Sequence, residues 1–511
     1  MAQIHVVDLS FSYEGSFEPV FEHVSFSLDS GWKLGFIGRN GKGKTTFLQL
    51  LLGKYAYTGA ISVSVPFDYF PYQVKEGQMG RCASDFMGEL KAGCEEWKVI
   101  CELAKLEASA ELLYRPFETL SHGERTKVFL AILFSGGHDF LLIDEPTNHL
   151  DQESREVVKQ YLKGKKGFIL VSHDRELLDG CIDHVLVLNR KSIEVQGGNF
   201  SSWWENKRRK DQFAKTENEK HLREIATLKK AADQSSRWAQ KNENSKIGFD
   251  PLKEPDRPFR AYIGGKTKKM QKRVKSYEKR IEREVRAKEG LLADIEETAF
   301  LKLSPLHYHK ERLAYGEDLA LGYAGANGAA LKDFSFEVKR GERVFLHGKN
   351  GCGKSTLIKA LLAAGGRGGE GNGAGLQILA GELHVGFGLT ISYVNQDTDF
   401  LQGDIRGFCA KQGLDESLFC ALLRQLDLGR AQFSKRMEEF SEGQKKKVLI
   451  AASLMTPAHL YIWDEPLNYI DVFSRMQIEE LILCHQPTMI LVDHDARFRQ
   501  KVATRVVELP G

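Results

Sequence analysis

Two glycine-rich loops in this 511-residue chain each carry a lysine placed to meet phosphate. The sequence GRNGKGKT occupies 38–45 and GKNGCGKS occupies 348–355, and both match the pattern G-x-x-x-x-G-K-[ST]. Backbone N–H groups of such a turn, with the N-terminus of the helix that follows, attract phosphate oxygens. We therefore expect Lys44 and Lys354 to reach the β- and γ-phosphates of a nucleotide. Two matches in the same register make a chance glycine-rich turn a negligible explanation.

Hydroxyl and carboxylate side chains at matched positions suit a magnesium ion. Thr45 and Ser355 directly follow the two lysines, and Asp144 and Asp464 end apolar, strand-like runs. Magnesium bound together with nucleotide phosphates takes oxygen ligands of these kinds. The sequence therefore predicts a magnesium nucleotide at each loop.

An acid and a histidine follow each aspartate at matched spacing. Glu145 and Glu465 can orient or deprotonate an attacking water, and His173 and His494, 28 and 29 residues later, can contact the γ-phosphate. An isolated Asp-Glu pair is usually a solvated loop, and a lone histidine is usually structural. Because both recur in register, the four residues are predicted to be catalytic, and the chain is predicted to hydrolyse ATP.

The ordered repeat of these motifs predicts two similar domains. Strand-like runs that end in polar loops alternate with helix-like stretches, which indicates α/β domains with ligands at the carboxyl ends of parallel strands. We predict a first ATPase domain at 1–204, a basic helical linker at 205–304 and a second ATPase domain at 305–511. The predicted fold class is thus α/β, with two P-loop ATPase domains joined by a long antiparallel α-helical hairpin.

The predicted linker concentrates positive charge. Residues 205–300 hold 26 basic and 17 acidic side chains, and 257–288 hold 13 and 3. Apolar stripes predict two helices of about 30 residues, each about 45 Å long, with a turn near 238–265. A solvated spacer needs neither a basic bias nor aromatic side chains, whereas an RNA-binding tip uses both. The predicted RNA contacts are Trp238, Lys246, Phe249, Phe259, Arg260, Tyr262, Lys266, Lys268, Lys269, Lys272 and Arg273.

Together with LSHGE at 120–124 and FSEGQ at 440–444, the loops and the D-E-P motifs resemble the ATP-binding-cassette (ABC) superfamily over nearly the whole chain. The resemblance implies that the two domains, here called the first and second cassettes, pair head to tail within a monomer, each signature motif closing over ATP held by the other cassette. The implied nucleotide-binding residues of the first cassette are Tyr13, Gly38, Asn40, Gly41, Gly43, Lys44, Thr45, Thr46, Gln73, Ser121, Gly123, Glu124 and Asp144. Those of the second are Tyr323, Gly348, Asn350, Gly351, Gly353, Lys354, Ser355, Thr356, Gln396, Ser441, Gly443, Gln444 and Asp464.

The same resemblance implies individual roles. The tyrosines of the two sets would stack on adenine, and the magnesium ligands would be Thr45, Gln73, Asp144, Ser355, Gln396 and Asp464. Asp151 and Asp471 would lie at the contact between the cassettes. Where the family usually has a second signature glycine, this chain has His122 and Glu442. An acid near a γ-phosphate should weaken binding unless it points away, so equal turnover at the two sites is not expected.

The tandem cassettes, the charged linker and EPTNHLD at 145–151 resemble ABC-F proteins, which act on the ribosome. YIGGKTKKMQKRVKS at 262–276, FSEGQKKKV and DEPLNYIDV are similar to the Lsa-type antibiotic-resistance branch, which protects ribosomes from lincosamides, streptogramin A compounds and pleuromutilins. The implied partners are the 70S ribosome, its 23S rRNA and P-site tRNA, with the linker acting as a P-site tRNA interaction motif whose tip reaches toward the peptidyl-transferase centre.

Alternative functions remain open at this point. A housekeeping ABC-F translation factor, the ATPase subunit of an ABC membrane transporter and a DNA-associated ATPase would share the nucleotide sites. No apolar run approaches the roughly 20 residues of a membrane-spanning helix, and the eight cysteines form no C-x-x-C pair. We therefore expect a cytoplasmic protein without membrane or DNA partners. The glycine-rich stretch at 365–375 is interpreted as a flexible surface loop.

Overall fold

The structure is a computed structural model. The residues that it describes are 3–14, 19–137, 139–148, 150–189, 193–244, 303–324, 328–349, 351–366, 375–429 and 432–510, and scattered positions between 272 and 283. Most of the predicted RNA-contacting tip, Asn350 and most of the glycine-rich stretch at 365–375 lie outside the described residues.

The first cassette combines an antiparallel sheet with a largely parallel one. Its strands are β1 Gln3–Phe11, β2 Phe21–Asp29, β3 Lys33–Gly38, β4 Thr58–Val63, β5 Phe67–Phe70, β6 Phe140–Asp144, β7 Phe168–Val171, β8 His184–Leu188 and β9 Ile193–Gly197. The orders are β2-β1-β4 and β5-β6-β7-β3-β8-β9, and in the second sheet only β9 is antiparallel to its neighbour among the described strands. Its helices are α1 Lys44–Leu51, α2 Ala83–Leu90, α3 Glu96–Lys105, α4 His122–Phe134, α5 Gln152–Lys163 and α6 Arg175–Cys181.

The central parallel strands are buried because their residues are almost entirely apolar. FLLID in β6 and FILV in β7 are runs that need cover on both sheet faces, which is typical of parallel strands flanked by helices. Their carboxyl ends, with that of β3, lie at one edge of the sheet. That edge carries Gly38 and Asp144, so the fold gathers the predicted phosphate and magnesium groups there.

The second cassette repeats this plan. Its strands are β10 Arg312–Tyr323, β11 Leu331–Lys339, β12 Arg343–His347, β13 Leu376–Val385, β14 Ile391–Val394, β15 Leu460–Asp464, β16 Met489–Val492 and β17 Arg505–Glu508, in the orders β11-β10-β13 and β14-β15-β16-β12-β17. After the linker helix α7 Phe200–Asn244, its helices are α8 Lys354–Ala364, α9 Ile405–Gln412, α10 Glu416–Gln425, α11 Glu442–Met455, α12 Val472–His485 and α13 Ala496–Val502. The prediction of two α/β domains is confirmed.

The helix α7 is longer than the sequence predicts. It has 45 residues and a length of about 68 Å at 1.5 Å per residue. The turn predicted from residue 238 is wrong for 238–244, because the first glycine and proline of this region come only at Gly248 and Pro251 and nothing earlier ends the helix.

Described residues of 204–297 form a compact unit of their own. Within it Ile225 of α7 and Ile281 are buried and pack with Leu228. The antiparallel hairpin as a whole stays a prediction, since most of its second half is not described. Of the helices in the described part of the chain, none combines the length and apolar character needed to cross a bilayer.

Candidate active sites

The first glycine-rich loop encloses the ammonium group of its lysine. Lys44 Nζ donates to the carbonyl of Gly38 at 2.8 Å and lies 3.2 Å from both the Arg39 carbonyl and Asn40 Oδ1. Gly43 precedes α1 with φ 106°, a conformation that requires glycine. Burial lowers the pKa of Lys44, although nearby carboxylates act in the opposite direction. A buried cation held by carbonyls is prepared to exchange them for phosphate oxygens.

The predicted magnesium group forms a connected cluster beside this lysine. Thr45 Oγ1 donates to Asp144 Oδ2 at 2.9 Å, and the Tyr69 hydroxyl donates to the same oxygen at 3.2 Å. Burial raises the pKa of Asp144 despite these bonds. Tyr69 was not predicted from the sequence, because an aromatic in a strand-like run ordinarily indicates core.

The first catalytic glutamate has an unusual backbone. Glu145 has φ 50°, a left-handed conformation that is costly for a residue with a side chain. Its Oε1 lies 3.3 Å from His173 Nε2. Burial and the adjacent Asp144 raise the pKa of Glu145 to about 8, while burial and Lys44 hold the pKa of His173 well below its usual value. The strained turn fixes the carboxyl group at the strand end.

The second glycine-rich loop repeats the arrangement of the first. Lys354 Nζ donates to the carbonyls of Gly348 at 2.7 Å and Lys349 at 2.8 Å, and Gly353 has φ 95°. Burial and the Glu465 charge raise the pKa of Asp464 to about 6, although the Ser355 hydroxyl acts in the opposite direction.

The second catalytic glutamate is held by more partners than the first. Glu465 Oε2 accepts from Gln396 Nε2 at 2.9 Å and from Asn468 Nδ2 at 2.7 Å, and Oε1 lies 3.5 Å from His494 Nε2. Burial acts to raise the pKa of Glu465, but the hydrogen bond and charge of His494, with Lys446 and Lys354, outweigh it, so the pKa is lowered. Its φ of 47° matches that of the first glutamate.

Other predicted residues lie near these groups with different degrees of engagement. The Tyr13 hydroxyl is 2.6 Å from Thr46 Oγ1, and that of Tyr323 is 3.4 Å from Thr356 Oγ1, beside the phosphate loops. Gln73 is exposed and makes no hydrogen bond within the described part of the chain, unlike its counterpart Gln396. The remaining loop glycines lie where the motif puts them, namely Gly41 with φ 75° and Gly351 with φ 84°.

Residues of the second cassette contact the first phosphate loop. Asn40 Nδ2 donates to the Tyr469 carbonyl at 2.7 Å, and Arg39 lies 3.3 Å from Asp427. A Cβ atom on Gly443 would lie 2.4 Å from the same Tyr469 carbonyl, so only glycine fits there. The second signature motif therefore lies beside the first phosphate loop, as head-to-tail pairing requires.

The signature motifs themselves cap helices. Ser441 Oγ accepts a hydrogen bond from the Gln444 N–H at 3.4 Å, and the Ser441 N–H donates to Gln444 Oε1 at 3.1 Å. Ser121 and Glu124 form the same capping box at the start of α4. This geometry fixes the serine at a helix N-terminus, where an anion is favoured.

The second site is a cleft between the cassettes. Its volume is about 770 Å³. From the first cassette it is lined by Asp151, Gln152 and Glu153, and from the second by Gly348, Lys349 and His494. Arg499 donates to Gln152 Oε1 at 3.2 Å across the cleft. Asp471, the counterpart of Asp151, is fully buried and paired with Lys447 at 3.0 Å.

Comparison with known proteins decides the family. The profile of the family described as "ABC transporter" matches residues 21–148 and 331–468, which together are just over half of the chain. The chain belongs to the ABC family. The two ABC cassettes form an ATPase.

Similar ABC proteins include ribosome-associated ones. The chain is 27% identical over 497 residues to the "Ribosome protection protein VmlR" of Bacillus subtilis, covering 96% of this chain and 84% of that protein. It is 25% identical over 507 residues to the "ATP-binding protein Uup" of Caulobacter vibrioides, covering 97% and 75%. Among solved structures, the archaeal ribosome recycling factor aABCE1 in complex with stalk protein aP1 has a TM-score of 0.60 at 18% identity, covering 99% and 87%, and shares the fold.

The acidic groups of both ABC sites fit a magnesium ion. Asp464 Oδ1 and Glu145 Oε1 are buried and accept no hydrogen bond from the described residues, and such oxygens need a cation or water. The hydroxyl and carboxylate set of each cassette is the hard oxygen set that magnesium prefers. Thr45 with Asp144, and Ser355 with Asp464, would hold the ion, which supplies positive charge to the phosphate oxygens.

The two ABC sites should respond differently to pH. With Glu465→Gln, only the first site turns over, and its rate should rise roughly tenfold from pH 7 to a plateau reached near pH 9, because Glu145 acts as a base only when ionised. With Glu145→Gln, the second site should be almost flat from pH 6.5 to 9, since the lowered pKa of Glu465 keeps it ionised. Steady-state phosphate release across this range measures both profiles, and identical profiles would contradict the assignment.

Proposed function

We propose that this ABC ATPase is a cytoplasmic ABC-F protein of the Lsa-type resistance branch that binds the 70S ribosome in its ATP-bound form. It protects the ribosome from antibiotics of the lincosamide, streptogramin A and pleuromutilin classes, with the linker tip reaching toward the peptidyl-transferase centre, near 23S rRNA and P-site tRNA. The observation that carries this proposal is the basic interdomain segment between paired cassettes. Similarity to a ribosome protection protein over 96% of the chain supports it.

The charge of that segment suits RNA better than a protein spacer. The stretch 257–288 has 13 basic and 3 acidic side chains. On α7, Arg209 and Arg223 expose 71% and 82% of their side chains even though each contacts a glutamate one turn earlier. Exposed cations on a long helix attract phosphates at little desolvation cost, and the binding should weaken steeply with salt.

The chain's own residues give the cycle its chemistry. Lys44 and Lys354 bind phosphate oxygens, and the signature serines Ser441 and Ser121 close over the nucleotide held by the opposite cassette. In the second site, Gln396 and Asn468 orient the Glu465 carboxylate, which takes a proton from the attacking water. ATP binding stabilises the closed pair, and loss of the γ-phosphate removes the reason for closure, so hydrolysis releases the ribosome.

Drug susceptibility together with ribosome binding tests this function. Expression in a sensitive host should raise the minimal inhibitory concentration of a lincosamide and a pleuromutilin by roughly tenfold, as a tenfold weaker apparent drug affinity would. A culture without drug shows whether expression of the protein itself changes growth. The purified protein should co-sediment with 70S ribosomes in ATP and not in ADP.

The outcomes separate the alternatives. Ribosome binding without drug protection would favour a housekeeping ABC-F factor. Co-purification with a membrane protein would favour a transporter subunit, and duplex DNA that competes with ribosomes would favour a DNA-associated ATPase. If the protein neither binds ribosomes nor protects against the drugs, the proposal is overturned.

A further inference from the structure

The second signature motif is fastened to the glutamine loop of its own cassette. Glu442, the acid in place of the usual glycine, accepts a hydrogen bond from the buried hydroxyl of Thr398 at 2.6 Å. Its other oxygen accepts from Lys445 Nζ at 3.1 Å. Both oxygens of this carboxylate therefore bond to groups of its own cassette. This explains how an acid is tolerated in a motif that faces phosphate.

A second fastening lies one turn further along α11. Lys446 is 2% exposed, and its Nζ donates to the Asn395 carbonyl at 2.8 Å. Asn395 precedes Gln396, whose amide holds Glu465 at 2.9 Å. A buried ammonium costs free energy unless it is bonded, so this contact fixes the loop strongly.

The same helix α11 begins at the first ATP site. Its residue Gly443 packs on the Tyr469 carbonyl, which accepts from Asn40 of the first phosphate loop. Contacts therefore run without a gap from the first phosphate loop, through α11 and Lys446, to the loop that orients the second catalytic glutamate.

The first cassette lacks this lysine. At the position of Lys446 it has Thr126, whose Oγ1 donates to the His122 carbonyl within α4 at 3.0 Å. The ammonium-to-loop bond is thus a feature of one half of the chain.

We propose that Lys446 and Glu442 are positioning residues that tie the glutamine loop of the second ATP site to the signature helix of the first, so that ATP engagement at the first site organises Glu465 for hydrolysis at the second. The tie rests on the ATPase activity and not on ribosome binding, so the two proposals can fail separately. Coupling through packed, hydrogen-bonded side chains of this kind is tested by whether its removal uncouples the sites.

Steady-state ATPase assays on the full chain isolate each site. In the Glu145→Gln background, Lys446→Met should lower kcat at the second site roughly ten- to hundredfold, as a misplaced catalytic group does, with KM for ATP changed by less than about twofold. Lys446→Arg should restore most of the rate because it can donate the same bond. In the Glu465→Gln background, Lys446→Met should change first-site kcat by less than about threefold. Equal losses in both backgrounds, or none at the second site, would overturn the proposal.

A double-mutant cycle tests the link itself. With Lys446 present, Ser441→Ala should slow the second site, whereas in Lys446→Met it should slow it no further, so the two effects are not additive. Thr398→Val replaces the hydroxyl that bonds Glu442 by a methyl group of similar size, and it provides a second variant should Lys446→Met not fold. Lys98→Met, at a half-buried lysine of α3 that pairs with Glu95, serves as the matched lysine control. If the loss of second-site rate caused by Ser441→Ala adds to that of Lys446→Met and to that of Thr398→Val, the coupling is refuted.

Discussion

Replacing both Glu145 and Glu465 by glutamine is expected to lower ATP turnover by roughly 10²–10⁴-fold, the usual contribution of a positioned general base. Glutamine keeps the size of the side chain and the left-handed backbone of both positions, but it cannot accept a proton. The phosphate loops are unchanged, so ATP binding should persist. The ATP-bound closed form should therefore accumulate. Phosphate release measures the rate, and filter binding of labelled ATP measures the retained affinity.

The same variant should be trapped on ribosomes. Sedimentation with 70S particles in ATP should retain it more fully than the parent protein, since the proposed function makes release depend on hydrolysis. A matched control carries Lys44→Ala and Lys354→Ala, which removes the cations facing phosphate and should abolish retention. Turnover within tenfold of the parent would contradict the catalytic assignment. Loss of turnover without ribosome retention would contradict only the proposed function.

Arg175→Ala is expected to destabilise the pairing of the cassettes by about 3–5 kcal/mol, the cost of leaving a buried charge uncompensated. The Arg175 guanidinium of the first cassette forms a bidentate contact with Glu479 of the second, and both side chains are 2% exposed. Without the arginine, Glu479 keeps only Lys501, which is half exposed, at 3.2 Å. The midpoint of thermal unfolding should fall on the order of 10 °C.

Two matched variants test whether the loss of stability comes from the unpaired buried charge. Arg209→Ala breaks an exposed ion pair with Glu205 and should change stability by less than about 1 kcal/mol. The double variant Arg175→Met with Glu479→Met should recover most of the loss, because apolar groups of similar volume often replace a buried pair without cost. If Arg175→Ala unfolds at the same temperature as Arg209→Ala, the buried pair does not hold the cassettes together.

The parts of the sites that follow strand ends could be predicted from the sequence. Lys44, Asp144 and Glu145 lie in turns formed by residues that are contiguous in the sequence. The spacing of the motifs therefore predicts which side chains lie close together. The structure brings them together as expected, although their roles with nucleotide stay predictions. The α/β character of both halves was likewise readable, because buried parallel strands need uninterrupted apolar runs.

Side chains that act across the fold could not be predicted. Tyr69 contacts Asp144 from a neighbouring strand, and Lys446 contacts a loop 51 residues earlier, so no local pattern indicates either. Asn468 could have been predicted, because an asparagine lies three residues after each catalytic glutamate. The predicted turn comes too early, since no residue near 238 ends a helix and α7 continues to Asn244.

The buried Arg175 and Glu479 have a further consequence for how the halves recognise each other. After the His-Asp dipeptide the second cassette has Ala496 where the first has Arg175, and at the position of Glu479 the first has Lys159. Two copies of the second cassette would each bury an acid opposite alanine, and two copies of the first would set arginine against lysine. The duplicated halves have thus become complementary rather than interchangeable, and each half finds its match only in the other.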